Sequence, residues 1–318
     1  MSSPDGYRLA YTAPGDAPRW QRWLLYSPGA RLLIFIAAFV ALSLALQYGL
    51  HQLAWSPRPA SSLLRATVGL AAQAGPPLLA YLFVVFLIER RYPAELAPEA
   101  LPRFALAGLL AGSVLFSAVV GVLWLAGSYH VVGTNTHPDW LPQVAIIGLG
   151  AGGVEEILMR GALFRMIEEG LGTWVALAVS AVVFGALHLG NPGATWWAAA
   201  AIAIEAGLLL GMLYHLTRSL WACMGLHAAW NIMQGVVYGI PVSGTHADGF
   251  LVSSRSGPDW LSGGVFGAEA SVVALALCSL CTLALLRIAW RRGTIVPPGW
   301  QRKLPGDTDA WQRMNRIG

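Results

Sequence analysis

The chain has 318 residues, of which 56% are hydrophobic and only 11% are charged. Soluble domains carry about 25% charged residues, so this composition excludes an ordinary soluble enzyme and indicates an integral membrane protein. The net charge of +4 comes almost entirely from arginine, because Lys303 is the single lysine. In a membrane protein such a charge reflects orientation rather than nucleic-acid binding.

Apolar stretches of suitable length predict transmembrane helices along most of the chain. They cover residues 32–50, 66–88, 104–126, 143–169, 174–188, 196–215, 220–240 and 269–288. We expect Gly75-Pro76-Pro77 to kink or break the second helix. The segments between the stretches are polar, and the longest of them, residues 241–268, is rich in Gly and Ser. The pattern predicts an all-α polytopic membrane protein with about eight transmembrane helices.

The basic residues predict the orientation of these helices. With the N-terminus inside, seventeen of the 20 basic residues fall on the inner side, and only Arg58, Arg65 and Arg255 fall outside. The positive-inside rule then places both termini in the cytoplasm. The first apolar stretch is too long and too late for a signal peptide, so we expect it to be retained. Three segments follow from this interpretation: 1–31 (cytoplasmic), 32–289 (transmembrane domain) and 290–318 (cytoplasmic tail).

Two adjacent glutamates and an arginine interrupt the fourth apolar stretch. A charge near the bilayer centre costs about 2.5–3.5 kcal/mol, and such residues are retained where they are paired or line a wet cavity. Glu156 and Arg160 stand four residues apart with the acid first, which favours an ion pair along one helix face. Glu155 lies about 100° around the helix from Glu156. The spacing predicts that Glu156 is structural and that Glu155 is free to do chemistry.

Three further apolar stretches carry polar side chains. His188 ends the fifth, Glu205 lies in the sixth, and His227 and Asn231 stand four apart in the seventh. Glu155 and His188 are each about 16 residues from the turn that joins their helices, or about 24 Å at 1.5 Å per residue. A single polar residue in such a helix more often makes an interhelical hydrogen bond than belongs to a functional site. Glu205 could equally be an ion-pair partner or a site residue. Their common layer favours one shared site.

A carboxylate, two imidazoles and an amide together suit hydrolysis by activated water. The carboxylate can take a proton from water, and imidazole and amide N–H groups can stabilise an oxyanion. The same residue types bind zinc, so Glu155, His188 and His227 are also metal candidates. The sequence has no H-E-x-x-H zinc motif, no G-x-S-G serine motif and no aspartate in the apolar stretches.

Three motifs in residues 150–235 resemble those of one known family, the CPBP intramembrane proteases, which include CAAX proteases and bacteriocin-processing (Abi) proteins. The family pattern is E-E-x-x-x-R, then F-x-x-x-H, then H-x-x-x-N. This chain has Glu155-Glu156-x-x-x-Arg160, Phe184-x-x-x-His188 and His227-x-x-x-Asn231 in the same order.

The resemblance implies a role for each motif residue. Glu155 is implied to be the water-activating base, with His188 helping to hold the water. His227 and Asn231 are implied to stabilise the oxyanion. The supporting positions are Glu156, Arg160, Phe184 and Glu205. Glu205 lies outside the three motifs and is our own inference. Glu269, also outside the motifs, is expected to favour the N-terminus of the last helix.

The resemblance implies an intramembrane endopeptidase in residues 32–289 that acts on peptides or membrane-anchored proteins in the lipid bilayer. We expect a multi-pass protein of a bacterial inner membrane, without nucleic-acid partners. The family is often labelled as metalloproteases, but a glutamate mechanism needs no metal, so we predict no required cofactor and keep zinc as the alternative. The competing hypotheses are a non-enzymatic immunity or scaffold protein and a proton-coupled transporter. No inverted repeat is visible in the sequence, which weakens the transporter hypothesis.

Overall fold

A computed structural model describes residues 7–54 and 60–302. Residues 1–6, Arg58 and most of the predicted tail therefore lie outside the described residues. Eight long helices form the described structure: α1 (Pro28–Gln52), α2 (Ser62–Ile88), α3 (Pro98–Leu125), α4 (Trp140–Leu171), α5 (Thr173–Gly190), α6 (Trp196–Thr217), α7 (Leu220–Asn231) and α8 (Val272–Arg291). Shorter helical segments are Arg19–Gln21, Arg22–Tyr26, Asp259–Ser262, Ala268–Ala270 and Gly299–Gln301. The predicted all-α polytopic class is confirmed.

Within the described ranges, every long helix except α7 is long and apolar enough to cross a membrane. Helix α7 is continued by a π-helical segment, Ile232–Val237, and most of its residues are buried. It packs closely on α3, because a Cβ on Gly108 would lie 2.4 Å from the carbonyl oxygen of Ala222. A helix enclosed by its neighbours need not present apolar side chains to lipid, which leaves α7 free to carry polar groups.

Two helices differ from the predictions. Helix α2 continues through Pro76 and Pro77, both buried, so the expected break is wrong. Neighbouring helices and local adjustments of the backbone can accommodate prolines inside a transmembrane helix. Helix α8 begins at Val272 rather than Glu269, because the Ser271 hydroxyl caps it by accepting a hydrogen bond from the Ala274 amide.

One end of the bundle is covered by the segments that follow α3 and α7. Strand β1 (Tyr129–Thr134) pairs antiparallel with β2 (Leu251–Arg255), with an irregularity between Val131 and Gly133. The sequence analysis missed this small sheet, since its strands are short and about 120 residues apart in the sequence. The Tyr129 hydroxyl donates to the Tyr238 carbonyl at 3.0 Å, which fixes the sheet to the end of α7.

The opposite end of the bundle contains a buried group of charges, which we call the arginine network. Arg31 bonds to Glu89 and Glu169, and Arg165 Nη1 lies 2.7 Å from Glu89 Oε1. The predicted polar linker after α2 contributes Arg91 and Glu95, the latter on the short turn Ala94–Leu96. The network ties α1, α2 and α4 together, and its members are Arg31, Glu89, Arg91, Glu95, Arg165 and Glu169.

Candidate active site

The two glutamates of the first motif lie where α4 changes its winding. The segment Gly152–Glu156 is α-helical, whereas Gln143–Ala151 and Ile157–Phe164 on either side are π-helical. Such π segments are rare and often occur at functional sites. Gly152 lets α4 approach α7, because a Cβ there would lie only 2.8 Å from the backbone nitrogen of Ala228. This close contact brings the glutamates opposite the third motif.

Glu156 is completely buried and bonds to two other elements of the site. Its Oε1 atom accepts hydrogen bonds from Arg160 Nη1 and from His227 Nδ1, each at 2.8 Å. Arg160 also donates to the carbonyl oxygens of Ala206 and Gly207, at 2.9 and 3.1 Å. Glu156 and Arg160 therefore form an ion pair that links α4 to α6 and α7.

Glu155 has a different environment from its neighbour. Its side chain is 31% exposed, and its Oε2 atom lies 3.8 Å from His227 Nε2. That oxygen has no hydrogen-bond partner among the described residues. Glu155 and His188 line one cavity of about 130 Å³. Glu155 therefore lines a cavity beside an imidazole, whereas the Glu156 carboxylate is enclosed and hydrogen-bonded.

The hydrogen bonds of the two histidines determine which ring nitrogen carries a proton. His188 Nδ1 lies 2.8 Å from the Phe184 carbonyl oxygen, which can only accept, so Nδ1 is the donor. The Nε2 atom of a neutral His188 is then an acceptor. His227 Nδ1 likewise donates to the Glu156 carboxylate. Its Nε2 atom, which faces Glu155, is a donor only when the ring is protonated.

Asn231 connects the third motif to α4. Its side-chain nitrogen donates to the Ile147 carbonyl at 2.9 Å. A side-chain amide has two N–H donors, so one remains for another acceptor. Asn231 lines a cavity together with His188 and His227, which places this amide beside the two imidazoles.

Residues 137–233 match the family described as type II CAAX prenyl endopeptidase Rce1-like. These residues are similar to CAAX-type proteases. The match contains all three motifs and confirms the resemblance to the CPBP family. A search of curated proteins found no match to this chain. The CAAX-type family and the apolar helices together indicate a multi-pass integral membrane protease with peptide or protein substrates, which favours the enzyme over the scaffold and transporter hypotheses.

The structure has a second, inner cavity of about 40 Å³. Glu205 and Glu269 both line it, and each has one carboxylate oxygen without a hydrogen-bond partner among the described residues. The structure thus places Glu205 on the same cavity as the motif residues. It also adds Ser243 and Glu269, which the sequence analysis did not assign to a site. The polar lining residues are His188, Glu205, His227, Asn231, Ser243 and Glu269.

Glu269 is the clearest residue that sequence reasoning missed. It lies on the turn Ala268–Ala270, ahead of the Ser271 cap, and not in the first turn of α8. Its expected role at the helix N-terminus stays a prediction, and the structure in addition places it on the inner cavity. An isolated acid beside an apolar stretch was the only signal in the sequence, and burial against α6 could not be deduced from it.

The family label raises the question of a metal, which the donor geometry addresses. In residues 7–54 and 60–302, no three His, Cys, Asp or Glu side chains are grouped so that they could hold a metal ion. Glu155 and His227 are 3.8 Å apart, and His227 Nδ1 is bonded to Glu156. Two ligands of one zinc ion can lie 3.8 Å apart, but Glu155, His188 and His227 are not grouped as three ligands of one ion within these ranges.

Proposed function

We propose that this chain is an intramembrane endopeptidase in which Glu155 activates the water that attacks the peptide bond. The observation that carries the proposal is the difference between the adjacent glutamates. Glu156 is buried and hydrogen-bonded to Arg160 and His227, whereas Glu155 is part-exposed. Its Oε2 atom has no hydrogen-bond partner among the described residues and lies beside His227, and Glu155 shares a cavity with His188. A general base needs an open lone pair within reach of water, and Glu155 has one.

The first chemical step takes place in the cavity that Glu155 and His188 share. A water there donates one hydrogen bond to the free Glu155 carboxylate oxygen and another to His188 Nε2. As the water oxygen adds to the substrate carbonyl carbon, its proton passes to Glu155. The position of His188 is fixed by its bond to the Phe184 carbonyl, so its Nε2 atom is preorganised to hold the water.

The carbonyl oxygen becomes an oxyanion that needs donors on the other side. Asn231 offers its second amide N–H, and protonated His227 offers Nε2–H while Glu156 holds the ring through Nδ1. Such preorganised donors stabilise a tetrahedral intermediate. When the intermediate collapses, the C–N bond breaks and Glu155 returns its proton to the leaving amine. The products are a carboxylate and an amine.

In this mechanism the chain's own side chains supply the base and the oxyanion donors, and no step is assigned to a metal. We therefore expect turnover to persist when the protein is treated with a chelator. Stoichiometric zinc that is lost together with turnover, and restores it when added back, would contradict the metal-independent scheme.

The proposal is tested with purified full-length protein in detergent and in lipid vesicles. A library of quenched fluorescent peptides, free and membrane-anchored, would be compared for the wild type, Glu155→Gln and Glu99→Gln. Glu99 is an exposed acid outside the site, so its variant controls for the loss of a charge. We expect cleavage by the wild type and Glu99→Gln only. Equal cleavage by Glu155→Gln would exclude Glu155 as the base.

A further inference from the structure

The inner cavity contains two carboxylates that the proposed mechanism does not use. Glu205 and Glu269 are only 2% and 4% exposed. Glu205 Oε2 and Glu269 Oε1 have no hydrogen-bond partner among the described residues. Neither side chain belongs to an ion pair within that part of the chain. Both nevertheless line the same small space.

Two buried acids without an ion-pair partner are costly unless something occupies the space beside their free oxygens. Burial of an unpaired carboxylate is strongly unfavourable, and a proton, water or a cation reduces the cost. Of the groups that act on Glu269, Ser243 and Gln234 are neutral, and His188 and Arg255 do not form an ion pair with it among the described residues. The site is thus suited to a cationic group that comes from outside the chain.

The remaining walls of the cavity show what kind of cation fits. They are apolar and include Phe184, Leu209, Leu226 and Trp230. A water-sized group needs roughly 10–15 Å³ of such space, so the cavity of about 40 Å³ holds about three heavy atoms. An ammonium group and the last two methylenes of a lysine match that size. A planar guanidinium with its stem is larger.

We propose that Glu205 and Glu269 form a specificity pocket for a lysine side chain that flanks the scissile bond of the substrate. Lysine combines an apolar stem with a compact cationic head, as the walls and the acids of the cavity require. The inference rests on the proposed function, because the same cavity is lined by His188, His227 and Asn231, which act on the reacting carbonyl and water.

The test compares peptides that carry Lys, norleucine or Arg at each position next to the cleaved bond. Norleucine keeps the stem of lysine and lacks its charge. A hydrogen-bonded charge contributes enough for at least about a tenfold preference in kcat/KM for Lys over norleucine, with Arg between them. In Glu205→Gln and Glu269→Gln the ratio of the two kcat/KM values should fall towards one, whatever the absolute rate. Glu99→Gln should keep the ratio.

Other outcomes separate this inference from the proposed function. A wild type that cleaves peptides without preferring Lys, or variants that keep the preference, would overturn the lysine pocket but not the protease. If the variants shift only the pH profile of turnover, the acids hold a proton and the pocket is also overturned.

If no peptide is cleaved, the proposed function fails, and binding alone tests the pocket. The n-butylammonium ion should then raise the Tm of the wild type more than n-butanol does, and this difference should vanish in Glu269→Gln. An equal effect of the two compounds on the wild type would refute the pocket.

Discussion

The arginine network and the active-site layer, which contains Glu155, Glu156, Glu205 and Glu269, both bury carboxylates. The two regions differ in how these carboxylates are hydrogen-bonded. In the network, each glutamate accepts from at least one guanidinium: Arg31 and Arg165 bond to Glu89, and Arg91 donates to Glu95 at 2.6 and 2.8 Å. Among the described residues, every buried carboxylate oxygen without a hydrogen-bond partner belongs to the other layer. These oxygens are on Glu155, Glu156, Glu205 and Glu269.

Burial of a charge does not by itself indicate function, because both regions bury charges and only one of them lies at the candidate site. A cluster whose carboxylates are all paired with guanidinium groups holds helices together, and removing one partner is what costs stability. An acid with a free oxygen beside a cavity retains an acceptor for water or substrate. Glu156 belongs partly to both classes, since one of its oxygens is paired twice and the other is free.

The largest expected effect is on turnover in Glu155→Gln. Loss of the base should reduce kcat by about 10²–10⁴-fold, or below detection. The variant should unfold at about the same temperature as the wild type, because Glu155 accepts no hydrogen bond from the described residues and loses only its 3.8 Å contact with His227. A peptidase assay and thermal unfolding in detergent check both parts. Retained turnover, or a large fall in Tm, would place Glu155 among the structural charges.

Glu156→Gln should affect stability first. The change weakens the bonds to Arg160 and His227 and leaves a buried guanidinium unpaired, at about 3–5 kcal/mol. Turnover should fall because less folded protein remains and because His227 loses its anchor. Denaturant unfolding monitored with the assay separates the two effects. A stable Glu156→Gln protein that is completely inactive, together with an active Glu155→Gln, would reverse the roles of the two glutamates.

Arg165→Gln tests how much the arginine network contributes to stability, because Arg165 lies outside the candidate active site. Arg165 bonds to Glu89 and to the Gly161 carbonyl, and its loss should cost about 3–5 kcal/mol of stability. The KM and kcat of the molecules that remain folded should match the wild type. Arg8→Gln, a change at an exposed arginine, is the matched control and should alter neither. A changed kcat at full folding would show that the network reaches the site.

Asn231→Ala should lower kcat by about 10²–10³-fold, the effect of removing one oxyanion donor. The KM should change much less, because the donor acts on the oxyanion rather than on the bound peptide. The loss of its bond to the Ile147 carbonyl should reduce stability by about 1 kcal/mol. Steady-state kinetics with a melting curve checks the prediction, and an unchanged kcat would remove Asn231 from the oxyanion site.

The smallest effect is the pH dependence of the network. Burial raises the pKa of Glu95, but the hydrogen bonds and charge of Arg91 outweigh it, so the pKa falls from 4.5 to about 2. A lowered pKa stabilises the fold above the ordinary value, and this stabilisation is lost as pH falls from 4.5 towards 2. The Tm should therefore decline over that range. Arg91→Gln should flatten the decline, and an equally steep curve would contradict this origin.

Much of the fold followed from the sequence because apolar length and helical spacing act locally. The eight apolar stretches correspond to α1 to α8, and the spacing of Glu156 and Arg160 predicted a pair that the structure shows at 2.8 Å. The sheet of β1 and β2 was missed, since strand pairing between distant segments leaves no local pattern.

Sequence alone determined the membrane-protein class, the order of the motifs and the partners within one helix. Tertiary structure decided which atoms meet between helices. The bond from His227 to Glu156 and the entry of Glu269 into the inner cavity depend on how closely α4, α6 and α7 approach, and small residues such as Gly152 set that distance. Residue spacing fixes the face of a helix that a side chain occupies, whereas close packing of several helices fixes what that face touches.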